Sequence, residues 1–166
     1  MLGDRWGVSG GETVRRYPCD DFVVDPVLRA WRGVRVAAPP ERVWAWVRQI
    51  RLGPYSYDWI DNLGRRSPRR LVEVAEPRVG EPVTSTGGRP QGRVLAVVPG
   101  RELTARIMGA VMSYVLVPQP DGSTRLLLKV VMGGNRLVAW AVCLGDLVMA
   151  RRQLLTFKRL AEGSAG

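Results

Sequence analysis

The 166-residue chain contains no histidine. This absence excludes a Ser-His-Asp triad, a Cys-His pair and any histidine-ligated metal site. A general acid or base would therefore have to be a carboxylate, a tyrosine, a lysine or a thiol. Only two cysteines are present, Cys19 and Cys143, and their spacing is not that of a metal site. We expect two free thiols, no metal and no cofactor.

Long apolar runs are also missing. The first twelve residues, MLGDRWGVSGGE, contain no apolar run of the kind found in secretory signals. The longest apolar stretch, residues 137–150, is too short to span a bilayer and is interrupted by Asp146. We therefore expect a cytoplasmic protein without a transmembrane segment. The length and the hydrophobic content of 46% favour one domain with a sizeable core.

Lysine is scarce, so arginine supplies most of the formal net charge of +10. Such a charge raises non-specific affinity for nucleic acids and anionic membranes. The densest group of arginines lies in a segment that lacks interleaved aromatic residues and any nucleic-acid motif. We favour a solvated surface loop over a specific anion site and expect no specific nucleic-acid partner. This basic cluster consists of Arg65, Arg66, Arg69 and Arg70.

The beginning of the chain divides into an arm and the start of a folded domain. Residues 1–29 are predicted to form an N-terminal arm, and residues 30–162 a single domain. A strand is predicted over 29–36, followed by a helix that opens at Pro39-Pro40. Apolar residues at 43, 46, 47 and 50 follow helical spacing. A short second helix is predicted over 58–63.

Strands and one long helix follow. Residues 70–75 and 81–85 are weak strand candidates, whereas turn residues predict hairpins over 93–108 and 111–132. A helix is predicted over 136–161, with its apolar first half buried and its amphipathic end more exposed. The order predicts an α+β fold in which a curved antiparallel sheet of six to seven strands wraps the long helix. In the last strand, the side chains predicted to face the core are Leu126, Leu128, Val130 and Met132.

Several segments together resemble a known superfamily. They are YPCDDFVVDP at 17–26, APPERVWAWVRQI at 38–50, YSYDWIDNLGR at 55–65, VVPGRELTAR at 97–106 and DGSTRLL at 121–127. The chain resembles the START-like, or helix-grip, superfamily (also called SRPBCC or polyketide cyclase/dehydrase-like), in particular an uncharacterised bacterial branch. That branch usually has glycine where Cys19 stands. The resemblance implies a cavity for a largely apolar small molecule between the sheet and the long helix, but brings no agreed catalytic motif.

The aromatic and acidic residues after the first helix are the first site candidates. Tyr55 and Tyr57 could face a ligand or pack the segment onto the core, and the two interpretations are even. Asp58 is favoured as a helix cap rather than a ligand contact, and Asp61 as a solvent-facing residue. Trp59 belongs to the same cluster and is a candidate contact.

Asp146 is the most unusual candidate because it interrupts the apolar part of the long helix. A carboxylate there needs a partner or a raised pKa. Three residues on predicted strands could face it: Arg106, Tyr114 and Arg125. A structural ion pair is favoured over a catalytic role. If the protein has a general acid or base, Asp146 is the first candidate and Asp58 the second.

These observations lead to one main hypothesis about function and two alternatives. The main one is binding of a hydrophobic or amphiphilic small molecule between sheet and helix, without catalysis. The first alternative is a cyclase or dehydratase that uses Asp or Tyr for proton transfer, and the second is a partner-binding module that uses the arginine-rich surface. Trp140 and Met149 are included as contacts, although core packing is favoured for Trp140 and explains Met149 equally well. The candidate ligand-binding residues are Tyr55, Tyr57, Asp58, Trp59, Arg106, Tyr114, Trp140, Asp146 and Met149.

Overall fold

The computed structural model describes residues 3–57 and 63–163, which form an α+β fold. A six-stranded sheet has the order β1-β2-β8-β7-β6-β5, antiparallel except for the β1–β2 pair, and β3 and β4 form a separate hairpin. The strands are β1 (Arg5–Trp6), β2 (Leu28–Val36), β3 (Thr84–Thr86), β4 (Arg89–Gln91), β5 (Arg93–Val98), β6 (Glu102–Ile107), β7 (Ala110–Pro118) and β8 (Thr124–Met132). The α-helices are α1 (Gly10–Val14), α2 (Pro40–Val47) and α3 (Arg136–Gly163), and 3₁₀ turns cover Pro18–Asp21 and Arg48–Leu52.

Both predicted hairpins are confirmed. The β5–β6 turn contains Gly100 at φ 79° and the β7–β8 turn contains Gly122 at φ 83°. These backbone angles favour glycine, which explains why Pro-Gly and Asp-Gly sequences stand at the two turns. Asp121 also accepts a hydrogen bond from the Ser123 backbone amide at 3.0 Å, which fixes the second turn.

The face of the sheet that packs against α2 and α3, here called the inner face, carries the main core. The predicted inward set on β8 is confirmed, since Leu126, Leu128 and Val130 are buried in this core and Met132 packs against it. The alternate residues of β8 lie on the opposite, outer face. There Leu127 and Val131 belong to a second apolar cluster.

The N-terminal arm covers that second cluster. Tyr17 and Cys19 are buried in it, and the Cys19 backbone amide donates to Ser113 Oγ at 2.8 Å. Helix α1 begins with a reciprocal cap in which Ser9 and Glu12 bond to each other's backbone amides. Glu12 also forms an ion pair with Arg125 at 2.8 Å. The arm is therefore a second layer on the sheet.

Helix α2 forms as its apolar spacing predicts. Val43, Trp46 and Val47 are buried against the inner face, and the chain continues directly into the 3₁₀ turn. The predicted helix over 58–63 falls almost entirely outside the described residues. The weak strand predicted over 70–75 is irregular chain, because its backbone is held by a side chain instead: the Val72 amide donates to Gln49 Oε1 at 2.9 Å.

The long helix α3 differs from its prediction in where it is exposed. Its second half is the better buried, through Leu154, Phe157 and Ala161. Its first half has small residues toward the sheet and large apolar residues in solvent; Leu137 is 78% exposed. The expectation was wrong because a helix lying on a sheet buries one face only, whatever the composition of the others. Among residues 3–57 and 63–163, no helix is both long enough and apolar enough to cross a membrane.

Candidate functional site

The clearest polar feature of the inner face is a close approach between Arg32 on β2 and Asp146 on α3. Arg32 Nη2 lies 3.2 Å from Asp146 Oδ2; the Arg32 side chain is fully buried and that of Asp146 is 16% exposed. The two groups form an ion pair by distance, but neither atom is aligned for a hydrogen bond. These two atoms and Arg32 Nε are buried and have no hydrogen-bond partner among the described residues. Burying polar atoms of this kind costs free energy unless another group forms hydrogen bonds with them.

Burial dominates the electrostatics of this pair. Desolvation raises the pKa of Asp146 to about 6, and the positive charge of Arg32 only partly opposes the shift. The other nitrogen of the guanidinium, Nη1, donates to the backbone oxygens of Asp4 and Trp31, each at 2.9 Å. Arg32 is thus held in place from β1 and β2, while Asp146 approaches it from the helix.

Tyr114 lies on the same face and is fixed by a second polar contact. Its hydroxyl donates to Gln153 Oε1 at 2.6 Å, and Gln153 Nε2 donates to the Pro54 backbone oxygen at 2.6 Å. Burial, together with the negative charge of Asp146, raises the pKa of Tyr114 well above its usual range. Tyr114 is therefore a hydrogen-bond donor that lies close enough to Asp146 to interact electrostatically with its carboxylate.

Of the three residues expected to face Asp146, two lie elsewhere. Arg106 pairs in register with Val111, which belongs to the outer cluster, and its side chain is exposed. Arg125 is also on the outer face, where it binds Glu12. The ion-pair partner is Arg32, which sequence reasoning missed. The alternation of β2 could have found it, because Arg32 lies between Ala30 and Val34 on one face.

Tyr55 is a packing residue in this structure. It is fully buried, with its ring centroid 6.4 Å from that of Trp46 and 5.2 Å from that of Phe157. Its hydroxyl accepts a hydrogen bond from Gln49 Nε2 at 2.6 Å. The same Gln49 nitrogen donates to the Arg70 backbone oxygen at 2.8 Å. Tyr55 and Gln49 together attach the segment after α2 to the core.

Three other candidates, Tyr57, Trp140 and Met149, lie on α3 or against its surface. Tyr57 is partly buried, with the Arg152 guanidinium 5.5 Å from its ring centroid. The Met149 backbone oxygen accepts a hydrogen bond from Ser56 Oγ at 2.9 Å. Met149 itself is 36% exposed. Trp140 is 48% exposed rather than packed in the core. The structure thus brings Asp146 and Tyr114 together on the inner face of the sheet. Tyr57, Trp140 and Met149 lie at or near the solvent-exposed surface. Asp58 and Trp59 lie outside the described residues.

Comparison with solved structures places this arrangement among known folds. SSP2350 from Staphylococcus saprophyticus superposes with a TM-score of 0.58 at 11% identity, over 82% of this chain and 93% of that one. MLL2253 from Mesorhizobium loti gives 0.55 at 18% identity, over 83% and 99%. Cgl2372 from Corynebacterium glutamicum, described as a Polyketide_cyc-like protein, gives 0.50 at 15% identity, over 86% and 95%. No protein-family model and no curated protein matches the chain.

These superpositions cover nearly the whole of each of the three solved structures and more than four fifths of this chain. The chain has the START-like helix-grip fold. The resemblance inferred from the sequence is confirmed at this level, and identities this low carry the fold alone.

Two cavities within the described residues lie elsewhere than between the sheet and α3. One of about 530 Å³ opens on the outer face, beneath the arm. Another, of about 10 Å³, lies beside Ile50 and Val83 and has room for about one water molecule.

The four arginine side chains of the basic cluster are exposed. Ser67 anchors the segment that carries them, because its Oγ accepts a hydrogen bond from the Tyr55 backbone amide at 3.0 Å.

Proposed function

We propose that this helix-grip domain binds an amphiphilic small molecule between its inner sheet face and the first half of α3. The fold supports a ligand-binding or cyclase-type scaffold. The observation that carries the proposal is that buried polar atoms of Arg32 and Asp146, although ion-paired, have no hydrogen-bond partner within the described residues. A ligand hydroxyl would accept from Arg32 and donate to Asp146, whereas a ligand carboxylate would accept from Arg32, so either head group would offset part of the desolvation.

The packing of α3 supports a place for the apolar part of such a ligand. In its first half the buried side chains toward the sheet are small, Ala139 and Cys143, so this contact buries little apolar area. The second half is held by larger buried groups, including Leu154 and Phe157. Separating the first half from the sheet therefore costs less free energy than separating the second. We propose that the ligand enters by displacing this half of the helix.

A fluorescent fatty acid analogue tests the proposal directly. Titration with 11-(dansylamino)undecanoate should show saturable binding to the wild-type protein. Arg32→Met removes the buried cation and should weaken binding roughly tenfold or more, the value of about one charge-assisted hydrogen bond. Arg35→Met changes an exposed residue of the same strand and should leave the affinity unchanged. Equal affinity of both variants, with native circular dichroism, would contradict the proposal.

An enzyme on the same scaffold is the second candidate. The observation that favours it is the pKa of about 6 at Asp146, which suits proton transfer near neutral pH, with Tyr114 close by. The change Asp146→Asn separates the two functions, since it should preserve or strengthen binding of the dansyl probe. If the protein is a cyclase or dehydratase, the same change abolishes conversion of a linear poly-β-ketone thioester. If the wild-type protein binds that thioester unchanged, binding alone is its function.

A further inference from the structure

The outer face of the sheet carries a cleft that the proposed function does not use. It has a volume of about 530 Å³ and lies between the arm and strands β2 and β8. Trp31 and Lys129 form part of its lining, although they are only 8% and 5% exposed. They are neighbours across the β2–β8 pair, so the backbone ladder fixes their separation. The volume is in the range of pockets that hold a small organic molecule.

Polar groups in the lining are held in position before any ligand arrives. Lys129 Nζ lies 2.6 Å from Asp20 Oδ1 and 5.1 Å from the centroid of the Trp31 ring. Trp31 Nε1 is buried and has no hydrogen-bond acceptor among the described residues. An indole N–H in that state retains the cost of desolvation, which an acceptor atom would offset.

The charges around the cleft are unbalanced toward positive. Its lining includes four cations and two carboxylates. Lys129 is paired with Asp20, and Arg16 is paired with Asp21 outside the lining. Arg15 and Arg29 line the cleft and form no ion pair within residues 3–57 and 63–163.

Apolar groups complete the lining. Val14, Val23 and Pro26 come from the arm, and Val14 is 85% exposed. An exposed valine beside two unpaired arginines offers contact area next to positive charge. This combination fits a ligand with an apolar body and one anionic group, because each part meets a complementary surface.

We propose that the outer cleft is a second binding site, for a small organic anion with an apolar body. The anionic group, a carboxylate, sulfonate or phosphate, contacts Arg15 and Arg29, and the apolar body lies against the arm and Trp31. The sheet separates this site from the Arg32–Asp146 pair, so the proposal stands independently of the function proposed for the inner face.

Nuclear magnetic resonance of the indole groups provides the test. Each of the six tryptophans gives one indole N–H signal, and Trp31→Phe assigns that of Trp31. Titration with naphthalene-2-sulfonate should shift the Trp31 signal in a saturable manner. In Arg15→Ala/Arg29→Ala the dissociation constant should rise roughly tenfold or more. The matched control Arg89→Ala/Arg101→Ala removes the same charge from exposed positions and should bind as the wild type does.

Two further measurements identify other causes of a change in the Trp31 signal. The neutral compound 2-naphthylmethanol should not shift the Trp31 signal at the same concentration. An equal response to the neutral compound would overturn the role of charge. A response unchanged in Arg15→Ala/Arg29→Ala, or one limited to Trp140 on α3, would overturn the site itself.

Discussion

Arg32 and Asp146 connect the second strand to the long helix by an ion pair of 3.2 Å, yet their facing atoms form no hydrogen bond. The pair therefore supplies attraction without repaying the full desolvation of two charged groups. The ligand site proposed above lies at this contact between sheet and helix. We infer that the cost is retained for binding rather than for stability.

Asp146→Asn should make unfolding depend less on pH. The carboxyl pKa is about 6 in the folded protein and about 3.8 otherwise, so the folded state retains the proton more strongly. Wild-type stability contributed by this group is full below pH 4, falls as pH rises through 6 and stays lost above it. Asparagine cannot titrate. The stability of the variant minus that of the wild type should therefore increase by about 2 kcal/mol between pH 4 and pH 7.

Urea denaturation at a series of pH values measures this difference. Other carboxylates titrate in both proteins, so their contributions cancel in the subtraction. A difference between Asp146→Asn and the wild type that stays flat with pH would show that the Asp146 side chain is solvated in the folded state.

Gln49→Leu should detach the irregular segment that follows the basic cluster. Gln49 is buried and bonds to the Tyr55 hydroxyl, the Arg70 oxygen and the Val72 amide. Leucine fills the space but leaves these groups unpaired, which should cost about 2–4 kcal/mol of unfolding free energy. Hydrogen exchange at the Val72 amide should accelerate. Gln91→Leu, at an exposed position of β4, should change neither quantity, and equal effects of both substitutions would refute the role given to Gln49.

Tyr114→Phe tests the second polar contact of the inner face. Loss of the hydroxyl leaves Gln153 Oε1 buried without this donor, at a cost of about 1–3 kcal/mol. Tyr57→Phe is the matched control, because the ring of Tyr57 lies against Arg152 at the surface. Thermal unfolding should show a lower midpoint for Tyr114→Phe than for Tyr57→Phe. Identical midpoints would mean that water replaces the hydroxyl without loss.

Much of the fold could be predicted because local signals were strong. Gly100 and Gly122 mark turns whose backbone angles require glycine, and the alternation along β8 identifies its core face. The exposure of α3 could not be predicted in the same way. Composition shows that a helix has apolar faces but not how many layers are available to cover them. The packing of the arm onto the outer face of the sheet could not be predicted either, because Tyr17 and Cys19, which are buried there, belong to no periodic apolar pattern.

The site was predictable in part. Asp146 stood out because a carboxylate in an apolar stretch demands a partner. The identity of the partner depends on which strand faces the helix, and that is a property of the sheet order β1-β2-β8-β7-β6-β5. β2 comes early in the chain and adjoins the last strand, so Arg32 meets a residue 114 positions later in sequence. A contact between residues so far apart in the chain cannot be predicted from any local sequence pattern.

Gly7→Ala should release β1 from the sheet. Gly7 has φ +66°, and an added Cβ would lie 2.2 Å from the Gly33 backbone oxygen, so the chain must shift. The Trp31 amide donates to the Asp4 oxygen at 2.6 Å, and this bond should open more often. We expect a loss of about 1–3 kcal/mol and faster hydrogen exchange at Trp31.

A second glycine of the arm provides the comparison. Gly10 begins α1, and an added Cβ there has no neighbour within 4 Å, so Gly10→Ala should preserve or slightly raise stability. Arg32 Nη1 also donates to the Asp4 oxygen, so displacement of β1 removes one of the contacts that position the guanidinium. Gly7→Ala should therefore also weaken binding of the dansyl fatty acid, whereas Gly10→Ala should not. If Gly7→Ala neither accelerated hydrogen exchange at Trp31 nor weakened binding relative to Gly10→Ala, β1 would have no part in holding Arg32.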